Sequence, residues 1–238
     1  MNGGPYEEIK RIRGENTEFG NIELSYQFAM KMLENTENLH TKKMIDIGTN
    51  MGTLPFLMFN RNKYNMVGVE CREDAIIKGK EKYPEIADKL SVVGNRLADI
   101  ENESFDVVTM FDVIEHIPNV DVYLREEVFR ILRPGGVFIF QTPNARINPF
   151  FEMMRTKSFT AYKEYHCSLQ TPKSLVNMLS ACGFEDILIE KHTIDSEFNR
   201  KKLRKYFGLF AGCIIKGFSC APLGIYPNLW GRAIKPIN

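Results

Sequence analysis

The sequence predicts an α/β fold built on a mostly parallel sheet. Short apolar runs of buried-strand type alternate with helical segments at intervals of about 10–20 residues, the rhythm of βαβ units. A turn bearing two glycines closes the first run, and acidic residues follow the next two. In an open parallel sheet those strand ends form the ligand crevice.

Taken in order, residues 1–20 are polar and are expected to run over the surface as a lead. Ile22, Tyr26, Met30 and Leu33 recur at helical spacing and predict a helix over 22–35. Strands are expected at 44–47, at 64–69 ending on Glu70, at 90–93, at 105–110 and at 137–140, with helices at 52–59, 72–82 and 121–131 between them. Leu132-Arg133-Pro134-Gly135-Gly136 reads as a helix stop and a turn back to the sheet, because proline and glycine cannot sustain the helix. Residues 145–168, rich in Phe, Met and Tyr, break the alternation after the fifth strand and are expected to form an insertion, or lid, over the crevice. A helix at 172–181, a strand at 184–190 and a last strand near 229–234 resume the pattern.

Composition bounds the function. Apolar residues make up 44% and charged residues 26% of 238, which is ordinary for a globular domain. The net charge of +1, from 31 basic and 30 acidic side chains, argues against a binder driven by polyanions. Five cysteines with no CxxC pair read as reduced thiols, and the polar start holds no apolar run of signal type. The expectation is a cytoplasmic protein of one domain.

The first strand-to-helix turn, Asp46-Ile47-Gly48-Thr49-Asn50-Met51-Gly52, carries the sharpest chemistry. Gly48 can take a backbone conformation closed to other residues and lets a ligand approach the main chain. Asn50 tolerates positive φ, and Gly52 permits close helix–strand packing. A dinucleotide fingerprint would place glycine where Asn50 and Thr53 stand, and no Gly-Lys-Ser/Thr closes a P-loop. Asp46 would repel a pyrophosphate and suits a ligand with a cationic group. Glu70 stands where a carboxylate accepts both hydroxyls of a ribose. Asp99, after the third strand, can accept a hydrogen bond from an exocyclic amine.

These pieces resemble the class I S-adenosylmethionine-dependent methyltransferases. The likeness rests on Asp46–Gly52, Val67-Gly68-Val69-Glu70, Asp99, the run from Phe105 through Asp112 to Glu115-His116-Ile117, Leu132–Gly136, and Gln141-Thr142-Pro143-Asn144, and it covers about residues 40–190. It implies a Rossmann-like three-layer αβα sandwich on a seven-stranded sheet of order 3-2-1-4-5-7-6, the seventh strand antiparallel. It implies S-adenosyl-L-methionine as cofactor, with Asp46, Gly48, Thr49, Asn50 and Gly52 along its methionine part, Glu70 on the ribose and Asp99 on the adenine amine. Phe111 and Asp112 would flank the methyl or the amino-acid tail. At Asn50 the family more usually has glycine.

Among four histidines, His116 and His166 are the candidate bases, because imidazole accepts a proton near neutral pH. Asp112, Glu115 and His116, spaced i, i+3, i+4, would share one face of a helical turn and, with His166, offer mixed oxygen and nitrogen ligands. That set resembles the small-RNA 2′-O-methyltransferases, whose metal site uses Glu-x-x-Glu-His and a later His. Metal-free relatives carry similar Glu-His sequences, so no metal is expected.

The tail over 196–238 joins a basic cluster (Arg200, Lys201, Lys202, Arg204, Lys205) to an apolar stretch interrupted by Lys216. It reads as a solvated basic helix followed by a segment that packs on the sheet, or alternatively as the wall of an acceptor pocket or a peripheral membrane contact. The expected activity is methyl transfer to a hydroxyl of a small or lipid-linked acceptor, with nucleic acid not expected as a partner. A metal-dependent RNA ribose methyltransferase and a non-catalytic S-adenosylmethionine-binding regulator are the alternatives.

Overall fold

The computed structural model describes residues 22–237 apart from 95 and 159. The lead expected over 1–20 lies outside the described residues. The sheet has seven strands in the order β3-β2-β1-β4-β5-β7-β6. They are β1 (Met44–Ile47), β2 (Met66–Glu70), β3 (Leu90–Val92), β4 (Phe105–Phe111), β5 (Leu132–Pro143), β6 (Glu185–Glu190) and β7 (Asn228–Ile234). The first five run parallel, and β7 lies antiparallel between β5 and β6.

Alternation along the strands separates two apolar layers. Ile45, Val108, Phe138 and Phe140 meet Leu124, Val128 and Ile131 on one side, with Leu175 and Leu179 of the later helix. Met44, Met66, Val107 and Ile139 face the other way and meet Leu24, Phe28, Leu54 and Met58. Those partners lie on or just beyond helices α1 (Ile22–Met32), α2 (Thr53–Asn62), α4 (Val120–Tyr123) and α6 (Pro172–Ala181); α3 (Glu73–Lys82) and α5 (Asn148–Thr156) complete the helices up to β6. Helices on both faces of the sheet make the expected three-layer sandwich.

Three details differ from the sequence expectation. The helix expected over 121–131 begins at Val120 and widens into a π-helical turn at Leu124–Phe129. Leu132–Gly136, expected as a stop and turn, is already β5. Leu132 stands in register with Phe105, and Gly135, at φ 75°, donates its N–H to the Lys235 carbonyl. The apolar tail also holds a helix. After α7 (Glu197–Phe207) and a 3-10 turn at Gly208–Phe210 comes α8 (Ala211–Cys220), so residues between β6 and β7 form a helical hairpin. Among the described residues no helix is long and apolar enough to cross a membrane.

Candidate active site

The site assembles where β1, β2, β4 and β5 end. At the β1 end the chain turns through three positive φ angles, Gly48 at 74°, Asn50 at 54° and Gly52 at 77°. A Cβ on Gly52 would stand 2.5 Å from Leu90 Cδ2, so only glycine lets α2 start this close to the β3 side chain. Val69 O accepts the N–H groups of Gly48 (2.9 Å) and Thr49 (3.1 Å). The Glu70 carboxylate accepts from Asn50 N–H at 3.0 Å, Cys71 N–H at 3.0 Å and Arg72 N–H at 3.2 Å. Arg72 in turn donates to Asn50 Oδ1 at 2.5 Å. The turn after β1 and the end of β2 are thus one hydrogen-bonded unit.

Asp46 is buried beneath this turn and accepts the Thr109 hydroxyl at 2.6 Å. Burial pushes its carboxyl up to about 6, against the pull of the Thr109 and Thr49 hydroxyls. Burial, reinforced by the Glu70 charge, pushes the neighbouring Cys71 thiol up to about 11, so it stays protonated and unreactive at neutral pH.

Asp99 is exposed in the loop after β3. That loop is clamped by the π-helical turn and its end. Glu127 accepts Leu97 N–H at 3.0 Å, and Arg130 donates to Leu97 O at 2.8 Å and Ile100 O at 2.6 Å.

At the β4 end, Phe111 approaches Trp230 of β7 with ring centroids 6.1 Å apart. Asp112 adopts φ 54° and accepts from Gln141 Nε2 at 2.9 Å. A single 3-10 turn follows, Ile114–His116. Asp112 therefore precedes the helical turn rather than belonging to it, and the shared face expected for Asp112, Glu115 and His116 does not form. Glu115 is buried and accepts the Thr142 hydroxyl at 2.9 Å.

The 145–168 segment, expected as an insertion, folds as α5 and a 3-10 turn (Ala161–Glu164) and returns to the β4 end. Ser168 N–H donates to Glu115 O at 3.1 Å, and the Ser168 hydroxyl to Ile117 O at 2.7 Å. Tyr165 donates its hydroxyl to Glu152 of α5 at 2.5 Å. The start of the segment is fixed by Asn144, fully buried, whose amide nitrogen donates to Gly224 O (3.2 Å) and Tyr226 O (2.9 Å).

This return brings His116 and His166 together, with ring centroids 5.0 Å apart. His116 Nδ1 lies 2.6 Å from Tyr165 O. A carbonyl only accepts, so Nδ1 carries the hydrogen and Nε2 is the basic nitrogen of the neutral ring. Glu115 Oε1 stands 3.8 Å from Nε2. His166 is buried, with Nδ1 3.0 Å from the Asn148 amide nitrogen. Ligand atoms of Glu115, His116 and His166 lie within 4.8 Å of one another, so these three, without Asp112, form a set that could hold a divalent ion.

The donor set suits a cationic nucleoside. Carboxylates stand at or beside the ends of β1, β2 and β4. The Val113 side chain fills the space beside Gly48, against the expected main-chain approach there, and Glu70 closes β2 with its oxygens already accepting three backbone N–H groups. Thr109, Gln141, Thr142, Asn144, Tyr165 and Arg130, which hold these groups, carry no motif signal of their own apart from the Gln141–Asn144 run.

Residues 23–189 match the family described as a methyltransferase domain. A ubiquinone biosynthesis O-methyltransferase of Idiomarina loihiensis is 28% identical over 163 residues, covering 65% of this chain and 66% of that protein. Another of the same name from Aliivibrio fischeri is 28% identical over 122 residues, covering 50% and 51%. The chain thus spans half to just under two thirds of these relatives. The crystal structure of a SAM-dependent methyltransferase from Archaeoglobus fulgidus shares the fold, with a TM-score of 0.59 at 15% identity over 97% of this chain and 99% of that one. An αβα enzyme fold with a nucleoside-type crevice is the class so defined. The chain belongs to the methyltransferase domain family, whose methyl donor is S-adenosyl-L-methionine.

Proposed function

We propose that this protein transfers a methyl group to a hydroxyl oxygen of a small or lipid-linked acceptor. The observation that carries it is the His116–His166 pair, set 5.0 Å apart where β4 ends and the 145–168 segment returns. The relatives named as ubiquinone biosynthesis O-methyltransferases support an oxygen acceptor.

When bound, S-adenosyl-L-methionine supplies a methyl group activated on a sulfonium. The 46–52 turn, with Asp46, Gly48, Thr49, Asn50 and Gly52, would line its methionine part; Glu70 would hold the ribose hydroxyls and Asp99 the adenine amine. Phe111 and Asp112 would flank the reacting end. His116 Nε2 takes the acceptor's proton as the new bond forms, and Glu115 stabilises the resulting imidazolium. His166 positions the acceptor oxygen. The 145–168 segment excludes water and aligns the reacting groups, which accounts for much of the rate in a reaction of this type. The protein would work in the cytoplasm.

A panel of phenolic and aliphatic hydroxyl acceptors, read by S-adenosylhomocysteine formation and by the methyl ether produced, tests this. Turnover only with amine or carbon acceptors would overturn the oxygen assignment.

The Glu115, His116 and His166 set favours a second reading, in which a divalent ion held by these three orients the acceptor oxygen. An RNA ribose acceptor belongs to that reading.

A further inference from the structure

We propose that the α7–α8 hairpin is a docking surface for an anionic phospholipid bilayer. From Glu197 to Cys220 the α7–α8 hairpin holds six basic residues, Arg200, Lys201, Lys202, Arg204, Lys205 and Lys216, and one acidic residue, Glu197, a net +5. The whole chain carries +1, so the remainder carries a net −4. The hairpin is therefore a cationic appendage on an otherwise anionic body, which orients it toward a negative surface.

Pairing narrows the active cations. Arg200 is held by Asp195 at 2.5 Å, and Lys201 by Glu197 at 2.7 Å. Among the described residues, no ion pair within 4.0 Å holds Arg204, Lys205 or Lys216. Arg204 and Lys216 line a cavity of about 380 Å³ with the Asp195–Arg200 pair, Ala211 and Ile215. Three cations, Arg200, Arg204 and Lys216, outnumber the one carboxylate, Asp195, over this apolar floor, an excess that suits a lipid phosphate with its glycerol and the first methylenes.

The turn between the helices carries the apolar part. Leu209 is 101% exposed, Phe210 72% and Tyr206 39%. The core does not need them, because the hairpin is anchored by other groups. Ala211 and Ile215 are buried, and Lys191 donates to Ser219 O (3.1 Å) and Ala221 O (3.0 Å). Large apolar side chains at a tip, beside a net excess of cations, are the composition of a segment that enters the interface without spanning it. The hairpin also touches the segment covering the site, since Phe218 of α8 meets Phe151 of α5 at 5.6 Å between ring centroids. Where the acceptor is lipid-linked, as proposed above, docking presents the site to the phase that holds it.

Co-sedimentation of the full chain with vesicles is the test, using phosphatidylcholine alone and phosphatidylcholine mixed with phosphatidylglycerol. Binding is expected only to the mixed vesicles and is expected to fall as salt rises. The pairs Leu209→Ser/Phe210→Ser and Arg204→Glu/Lys205→Glu should each weaken binding by at least about tenfold, the scale of losing one or two large apolar anchors. A second measurement uses Leu209→Trp, whose emission should shift to the blue on mixed vesicles; Trp230, the one native tryptophan, is buried. No binding to mixed vesicles, equal binding by the paired variants, or self-association through the tip without binding would each overturn the proposal. No methyl transfer is measured, so failure here leaves the proposed reaction untouched, and failure of that reaction leaves docking untouched.

Discussion

Glu70, the last residue of β2, holds the backbone N–H of Asn50 at 3.0 Å across the mouth of the crevice. A carboxylate expected to bind a ribose is thus also what sets the turn that follows β1. Replacing it acts on both.

Glu70→Ala is expected to weaken S-adenosyl-L-methionine by about 1–3 kcal/mol, the scale for removing hydrogen bonds to a charged group. Glu70→Gln keeps one accepting oxygen for Asn50 and should lose less. Calorimetric titration of both variants and the parent checks this. Equal losses would show that holding the turn contributes nothing.

Asp46 makes stability depend on pH in an identifiable direction. Its carboxyl is pushed up to about 6 from 3.8, so the folded protein binds that proton more tightly than the unfolded chain. This destabilising contribution is absent below about pH 4, grows as pH rises through 6, and is fully present above it, worth roughly 3 kcal/mol. Asp46→Asn removes the titration. Denaturant unfolding at pH 4.5 and 7.5 should therefore show the variant gaining on the parent at the higher pH.

His116→Asn is expected to lower kcat with a hydroxyl acceptor by about 10²–10⁴-fold, the usual scale for losing a general base. Affinity for S-adenosyl-L-methionine should stay within a few fold. His166→Asn should act mainly on acceptor KM. Steady-state kinetics, with cofactor binding measured in parallel, separates these outcomes.

Chelation should leave turnover intact if the two histidines act as base and positioner. Loss of activity with a chelator, restored by a divalent ion, would select the metal-assisted reading and place Glu115, His116 and His166 as ligands.

Arg130→Ala should destabilise the protein by about 2 kcal/mol, since its guanidinium holds two carbonyls of the Leu97–Ile100 turn and is partly shielded from water. Binding of S-adenosyl-L-methionine should weaken with it if Asp99 in that turn holds the adenine. Thermal unfolding and cofactor titration check the two effects separately.

The parts legible in sequence are those fixed by local chemistry. Strand runs, the three positive-φ positions at Gly48, Asn50 and Gly52, and the acid ending β2 all follow from residue type and short spacing. The misreadings arise where distant chain decides. Leu132–Gly136 looks like a turn by composition and does bulge, with Gly135 at φ 75°, yet Lys235, far along the sequence, exchanges backbone hydrogen bonds with Gly135 and Gly136 and ties the run into β5. Asp112 sits at helical spacing from Glu115 and His116, but its bond with Gln141 and its left-handed backbone hold it outside the helical turn. The same limit hides Asn144 and Tyr165, whose partners lie on other segments. The nearness of His116 to His166 depends on those partners, and a spacing of fifty residues carries no trace of it.

Antiparallel neighbours such as β6 and β7 can be joined by a two-residue turn. Here residues 191–227 intervene, with both ends fixed in paired strands. Loop-closure entropy rises only slowly with length, so the middle of this excursion can lengthen, shorten or change its chemistry while the sheet register stays as it is; its last residues, Gly224 and Tyr226, are tied to Asn144 and so to the site. The molecule therefore separates a crevice built on paired strands from the middle of one connection, whose length and composition those strands do not dictate.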